Sequence, residues 1–159
     1  MANELISIVG VSMTLGAAMV AGIFFAFSTF VMTALSRLLP EQGIAAMQSI
    51  NVAVLNPWFL AVFFGTALGS IALALLGILY WDASGSTYLV SGSLLYLIGC
   101  VLVTIVFNVP LNNTLAAVEP GSKEGAEMWT RYLSTWTTWN HLRTVASLAA
   151  AASFIMAIR

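Results

Sequence analysis

Long apolar runs alternate with short semi-polar segments along this chain, and the runs have the length of membrane crossings. A helix needs about 20 apolar residues to traverse a bilayer's hydrocarbon core. Four runs qualify: roughly 5–35 (LISIVG to FVMTAL), 57–81 (PWFLAVFFGTALGSIALALLGILYW), 88–115 and 139–158. Their ends carry recognisable punctuation. Asn56-Pro57 is a helix cap followed by proline at the first helical position. Asp82-Ala-Ser-Gly-Ser reads as a tight turn between the second and third runs, and Glu119-Pro-Gly-Ser breaks the chain after the third. Trp58, Tyr80, Trp81, Tyr88, Trp136 and Trp139 fall near run ends, where interfacial aromatics gather. Small residues recur every fourth position in the first run (Gly10, Thr14, Ala18, Gly22, Ala26) and at Gly65 and Gly69 in the second. Such rows let backbones approach closely in lipid. The pattern predicts an all-α, integral membrane four-helix bundle, up-down, forming one domain over 1–159.

The semi-polar segments set the expected topology. Pro40–Asn56 (PEQGIAAMQSINVAVLN) and Ser122–Asn140 (SKEGAEMWTRYLSTWTTWN) read as short amphipathic helices or ordered loops, and four crossings place both on one side. The Asp82 turn and both termini then lie on the other. Arg37, Lys123, Arg131 and Arg143 fall on the first side and Arg159 on the second. The positive-inside rule makes loops 36–56 and 116–138 cytoplasmic in a plasma (bacterial inner) membrane.

Composition narrows the class further. Only 7% of residues are charged, against 60% hydrophobic and a net charge of −1, too little charge to cover a water-facing surface. Nothing points to nucleic acid or an anionic macromolecule. Cys100 is the sole cysteine, which excludes an internal disulfide or a cysteine-based metal site. The N-terminal MANELISIVG lacks a basic start and reads as a retained first helix rather than a signal peptide.

Scarce polar groups converge at one bundle end. In FNVPLNNTL, Pro110 cannot donate to the Val106 carbonyl and crowds the turn before it, so the third helix should kink or open there. Asn108 precedes the proline, and Asn112 and Asn113 follow. The bland reading makes these asparagines caps for freed carbonyls. Further on, Trp136, Asn140, Arg143 and Ser147 share a helix face, with Thr137, His141 and Thr144 on the adjacent one. Read blandly, the tryptophans form a belt, Arg143 snorkels and His141 is a satisfied interface residue. Topology brings these groups together with Asn51 and Asn56, and polar clusters inside a greasy bundle usually mark function. One histidine cannot assemble a zinc site or a bis-histidine haem within one chain. One titratable base beside amide and guanidinium donors suits proton abstraction from a carbon acid, or equally the binding of a polar head group.

GIFFAFSTFVMTAL, MQSINVAVLNPWFL, FNVPLNNTL and YLSTWTTWNHLRTVASLAAAASF together resemble the anthrone oxygenase family. The most specific pieces are N-x-P-L-N-N at Asn108–Asn113 and W-N-H-x-R at Trp139–Arg143. The resemblance implies oxygenation of an anthrone- or phenol-like substrate to a quinone, with dioxygen as co-substrate and no metal or flavin. Under it His141 removes a proton from the activated methylene, while Arg143 and Asn108 complete the catalytic set. Asn51, Asn112, Asn113, Asn140, Trp136 and Trp139 form the substrate site, opening to lipid. The expected partners are an apolar small molecule, the bilayer and a second copy of the chain. Two alternatives stand beside it: a non-enzymatic lipid- or quinone-binding or transport protein, and a haem or metal bundle in which two chains each supply His141. No acidic residue lies inside the spans, which disfavours proton-coupled transport.

Overall fold

The computed structural model describes the backbone of residues 2–81 and 84–159 and the side chains of 7–81 and 84–159. Among these residues there are five helices and no strand. Helix α1 covers 2–35, as Ala2–Ala26, a wide π turn over Phe27–Val31, and Met32–Leu35. Helix α2 is Pro40–Ala53 and α3 is Pro57–Leu79. Helix α4, Ser86–Ala116, contains wide stretches over Leu95–Leu102 and Thr104–Asn108. Helix α5 is Lys123–Ala157, 35 residues long.

The helix count is corrected from four to five. The segment Pro40–Asn56 supplies the short helix expected of it, whereas Ser122–Asn140 is no separate element: it runs unbroken into the last apolar run. Between Lys123 and Ala157 the chain has no proline and a glycine only at Gly125, so nothing stops the helix at the polar-to-apolar change. Ser122 caps it, its Oγ accepting from the Gly125 N–H at 2.9 Å. At 1.5 Å per residue α5 is about 50 Å long, well beyond a bilayer core of about 30 Å. Among the described residues three helices are long and apolar enough to cross a membrane, Ser7–Leu35, Pro57–Leu79 and Ser86–Ala116. The last half of α5 falls outside this set because Asn140, His141, Arg143, Thr144 and Ser147 dilute its apolar character. It is instead the packing centre, lying against α1, α4 and α2. The outer surface is apolar, as lipid contact requires, with Leu15, Leu68 and Val145 each more than 60% exposed.

Asn56 caps α3 as its sequence predicts, Oδ1 accepting from the Phe59 N–H at 3.0 Å. Of the expected turn at Asp82, Asp82 and Ala83 lie outside the described residues. Gly85 follows in the left-handed region at φ 88°, a conformation that suits glycine.

The expected small-residue row is also corrected. Ala18 and Gly22 are exposed, and a Cβ on Gly22 or Gly65 would meet nothing within 4 Å. The seam runs instead through Ala17, Val20, Ala21 and Phe24, with Gly16 against Thr66 and Gly69 against Met13. A four-residue step overshoots a turn by about 40°, so a row begun at Gly10, which does face Ile158, drifts out of the interface within a few turns.

Pro110 is accommodated by widening. The Val109 N–H bonds the Thr104 carbonyl, five residues back, and the proline sits in the first turn of the following stretch Val109–Ala116. The expected polar partner for the Val106 carbonyl is not found among the described residues. Val106 is on the exposed side, and Asn108 turns inward to a different carbonyl.

Candidate functional site

Wide turns in α1 and α4 face the middle of α5, and the buried Asn140, Arg143 and Thr144 of α5 bond Ser28 and Thr104 between them. Turns of this kind add a residue to the helical round and recur at functional sites. Asn140 on α5 is fully buried. Its amide nitrogen donates to the Phe24 carbonyl at 2.7 Å and approaches the Ser28 hydroxyl at 2.8 Å. Its Oδ1 accepts from Arg143 Nη2 at 2.7 Å. Arg143 is 4% exposed, and its Nη1 donates to Thr104 Oγ1 at 3.3 Å. The guanidinium lies 4.1 Å from the centroid of Phe24 and 5.1 Å from that of Trp136, within cation–π range. Its Nε has no partner. Among the described residues no carboxylate pairs with it, while Lys123 and Glu127 pair on the surface at 3.8 Å.

Arg143 looks into a partly open cavity of about 360 Å³ lined by parts of all five helices. Phe24, Phe27, Phe59 and Phe63 make its walls apolar, and Gln48, Asn51, Thr104, Asn112 and Asn113 add polar groups. The size lies in the usual range for a small-molecule site. Helix α3 packs on α1 and on the first part of α4 rather than on Thr104–Ala116, and the cavity occupies the space this leaves. One edge is locked. Asn112 Oδ1 accepts from the Tyr132 hydroxyl at 2.7 Å and from Trp136 Nε1 at 2.8 Å, and Asn51 Nδ2 reaches the Tyr132 oxygen at 3.4 Å. Burial pushes the Tyr132 phenol above its ordinary value, so it serves as a neutral donor.

The structure sorts the expected site residues into three groups. Arg143, Trp136, Asn51, Asn112 and Asn113 line the cavity, and Asn140 stands directly behind Arg143. Asn108 is buried but outside the lining; its Nδ2 donates to the Trp136 carbonyl at 3.2 Å and ties α4 to α5. Trp139 is stacked on Phe107 with centroids 3.6 Å apart, away from the cavity. The expectation that His141 faces the interior beside an asparagine is overturned: it is exposed, lies outside the lining and has no hydrogen bond there. At about 100° per residue, His141 is turned by about 100° from Asn140 and by about 160° from Arg143, so it leaves the buried face that those two share.

Sequence reasoning passed over Gln48, Thr104, Tyr132 and the phenylalanine walls. Gln48 had a signal, since it precedes Asn51 by one helical turn in the Pro40–Asn56 segment. It donates to the Leu115 and Val118 carbonyls at 2.8 and 3.1 Å, closing the end of α4. Thr104 is a lone hydroxyl in an apolar run, and only the packing reveals its role.

Fold and site together define a helical protein with membrane-crossing segments, built around an apolar cavity with one buried cation. The chain belongs to the anthrone oxygenase family, whose model matches residues 58–153. That stretch contains α3, α4 and the site-bearing part of α5; Phe24, Ser28, Gln48 and Asn51 come from the preceding helices. No curated protein and no solved structure was found to match the chain.

Proposed function

We propose that the chain is a membrane-embedded, oxygenase-like enzyme that oxidises a planar, apolar anthrone- or phenol-like substrate with dioxygen. The observation that carries this reading is Arg143, a buried guanidinium without a carboxylate, at the back of an otherwise apolar cavity. Family membership supports the reaction class. The substrate's ring body lies among Phe24, Phe63 and Trp136, with its oxygen at Arg143. There the positive charge stabilises the enolate, and fixed donors of this kind lower the cost of forming an oxyanion. Asn140 holds the guanidinium in place, and Thr104 holds its other end.

The chemistry balances without a further reductant. Loss of a methylene proton leaves the enolate. Its carbon donates an electron pair to dioxygen and forms a C–O bond, and protonation gives a hydroperoxide. Loss of the second C–H proton with O–O cleavage yields the quinone carbonyl and water. The first proton leaves toward the polar edge at Gln48, Asn51 and Asn113, where water takes it up, rather than to the outward-facing His141. In this reading the whole chain is one membrane domain, with α2 and the start of α5 on the cytoplasmic side of the plasma membrane. Purified protein in detergent should consume oxygen and form quinone when given anthrone. Uptake no faster than that of anthrone alone, in both detergent and vesicles, would sink the proposal.

A further inference from the structure

We infer that the cavity takes its ligand as an aromatic monoanion, in preference to a neutral molecule of the same shape. This rests on the reading above that the cavity is a ligand site, and it extends that reading to a class of ligands wider than any one substrate.

The argument starts from what surrounds Arg143. A guanidinium keeps its proton in proteins, so the site holds a full positive charge that is 4% exposed. Every observed partner is neutral: the Asn140 amide, the Thr104 hydroxyl and the rings of Phe24 and Trp136. The titratable groups that face it are Cys100 from α4 and Tyr132 from its own helix, both neutral near pH 7 from their ordinary values. Among the described residues, helix α1 presents Phe24 and Ser28, α2 presents Gln48 and Asn51, and α3 presents phenylalanines, and none of these is a carboxylate. Glu124 and Glu127 line a separate surface hollow with Arg131. A buried cation that lacks an anion is costly, and an anionic ligand relieves that cost where a neutral one does not.

Donor count fixes the rest. A guanidinium has five N–H donors. Thr104 and Asn140 engage one N–H on each terminal nitrogen, and Nε, though unpartnered, is sealed from the cavity. The second N–H of each terminal nitrogen remains, and two donors match one oxyanion or one carboxylate. With a single cation in the lining, one negative charge is neutralised and a second would be stranded. The aromatic walls then select a flat ring system attached to that charge. A phenol or enol whose solution pKa lies above neutrality would bind as its anion and give up its proton on entry.

The test is a matched pair of probes against the full-length protein in detergent, 2-naphthoate and 2-naphthamide, read by isothermal titration calorimetry. The two are nearly identical in shape and differ in charge. The carboxylate should bind about tenfold or more tightly, the scale of hydrogen bonds to a charged group. Arg143→Gln should abolish the preference by weakening the carboxylate alone, and Arg143→Lys should keep part of it. Equal affinities in the wild type, or tighter binding of the amide, would overturn the inference even if neither variant folds. Failure of both probes to bind would overturn it too. Oxygen uptake on anthrone, measured on the same preparation, then tells whether the proposed oxygenase function falls with it or stands with a neutral substrate.

Discussion

The two ends of the helical bundle are built by opposite rules. At the end holding the chain termini, Ala17, Val20, Leu73, Tyr96, Ala150 and Phe154 form a closed core. There glycines bring helices into direct contact, as Gly92 does against Phe154 and Gly99 against Ala146. At the other end Met32, Met47, Leu115, Tyr132 and Trp136 pack around larger, partly polar side chains; α1 widens there over Phe27–Val31 and α4 over Thr104–Asn108, while the other wide stretch of α4, Leu95–Leu102, carries Tyr96 of the closed core. Close packing of small residues holds helices together in lipid, where apolar burial alone gives little preference. The closed end therefore supplies stability, and the widened end can keep a cavity and an unpaired charge that would be unfavourable elsewhere. Sites of function commonly retain such local costs.

The strongest way to break this contrast is at Arg143. Arg143→Met replaces the buried cation by an apolar chain of similar reach. Oxygen-dependent turnover should fall by about 10²–10³, the usual cost of losing a key oxyanion donor. Thermal stability in detergent should change little, because relief of the buried charge offsets the loss of a donor to the Asn140 Oδ1. A variant that loses stability and turnover together would show the guanidinium to be structural.

The closed end should answer the opposite way. A Cβ at Gly92 would meet the Phe154 ring at 2.9 Å and the Ser153 Cβ at 3.0 Å. Gly92→Val should therefore destabilise the bundle by about 1–3 kcal/mol while the remaining folded fraction keeps its turnover per molecule. Gly22→Ala, in open space on the same kind of helix, should leave the melting temperature unchanged or raised. Thermal melts of the two variants side by side sharpen the comparison, and equal losses would remove the distinction between inner and outer glycines.

Asn112→Leu probes the lock at the edge of the cavity. It strips the acceptor shared by Tyr132 and Trp136 and leaves two partly buried donors unpaired. The expected cost is about 1–3 kcal/mol in stability, read by thermal melting, with a smaller fall in turnover than Arg143→Met causes.

Much of this was legible in the sequence, and the misses have physical causes. Hydropathy located the apolar helices because lipid demands long uninterrupted runs, and the Asn56-Pro57 start was legible because a cap is a local signal. The shared face of Trp136, Asn140, Arg143 and Ser147 was equally legible, since helical spacing alone decides it, and all four are buried. The union of 122–140 with the last apolar run was missed because polarity, which changes there, does not by itself end a helix. The site was misread where one residue of rotation matters. A π turn shifts the register of everything after it; Pro110 marked the opening at Thr104–Asn108, but no composition signal marks Phe27–Val31. Thr104 was invisible for a related reason: its role depends on which neighbour the widened helix brings near.

The smallest expected effect belongs to the residue that the sequence makes most conspicuous. His141 is the chain's only histidine, within two positions of Asn140 and Arg143, and chemistry alone would give it the proton. Its ring lies on the exposed face of α5 among Thr138, Leu142 and Val145, which are exposed as well. A general base must come within about 3 Å of the proton it removes, directly or through one water, and removing such a base costs about 10²–10⁴ in rate. A side chain turned away from the cavity meets neither condition. His141→Ala should therefore leave oxygen uptake within about twofold of the parent, the scale of an exposed substitution. Measuring that variant beside Arg143→Met decides which face of α5 carries the reaction. A hundredfold loss at His141 would move the proton transfer to the outer face and require a second chain or a rotated helix to complete the site.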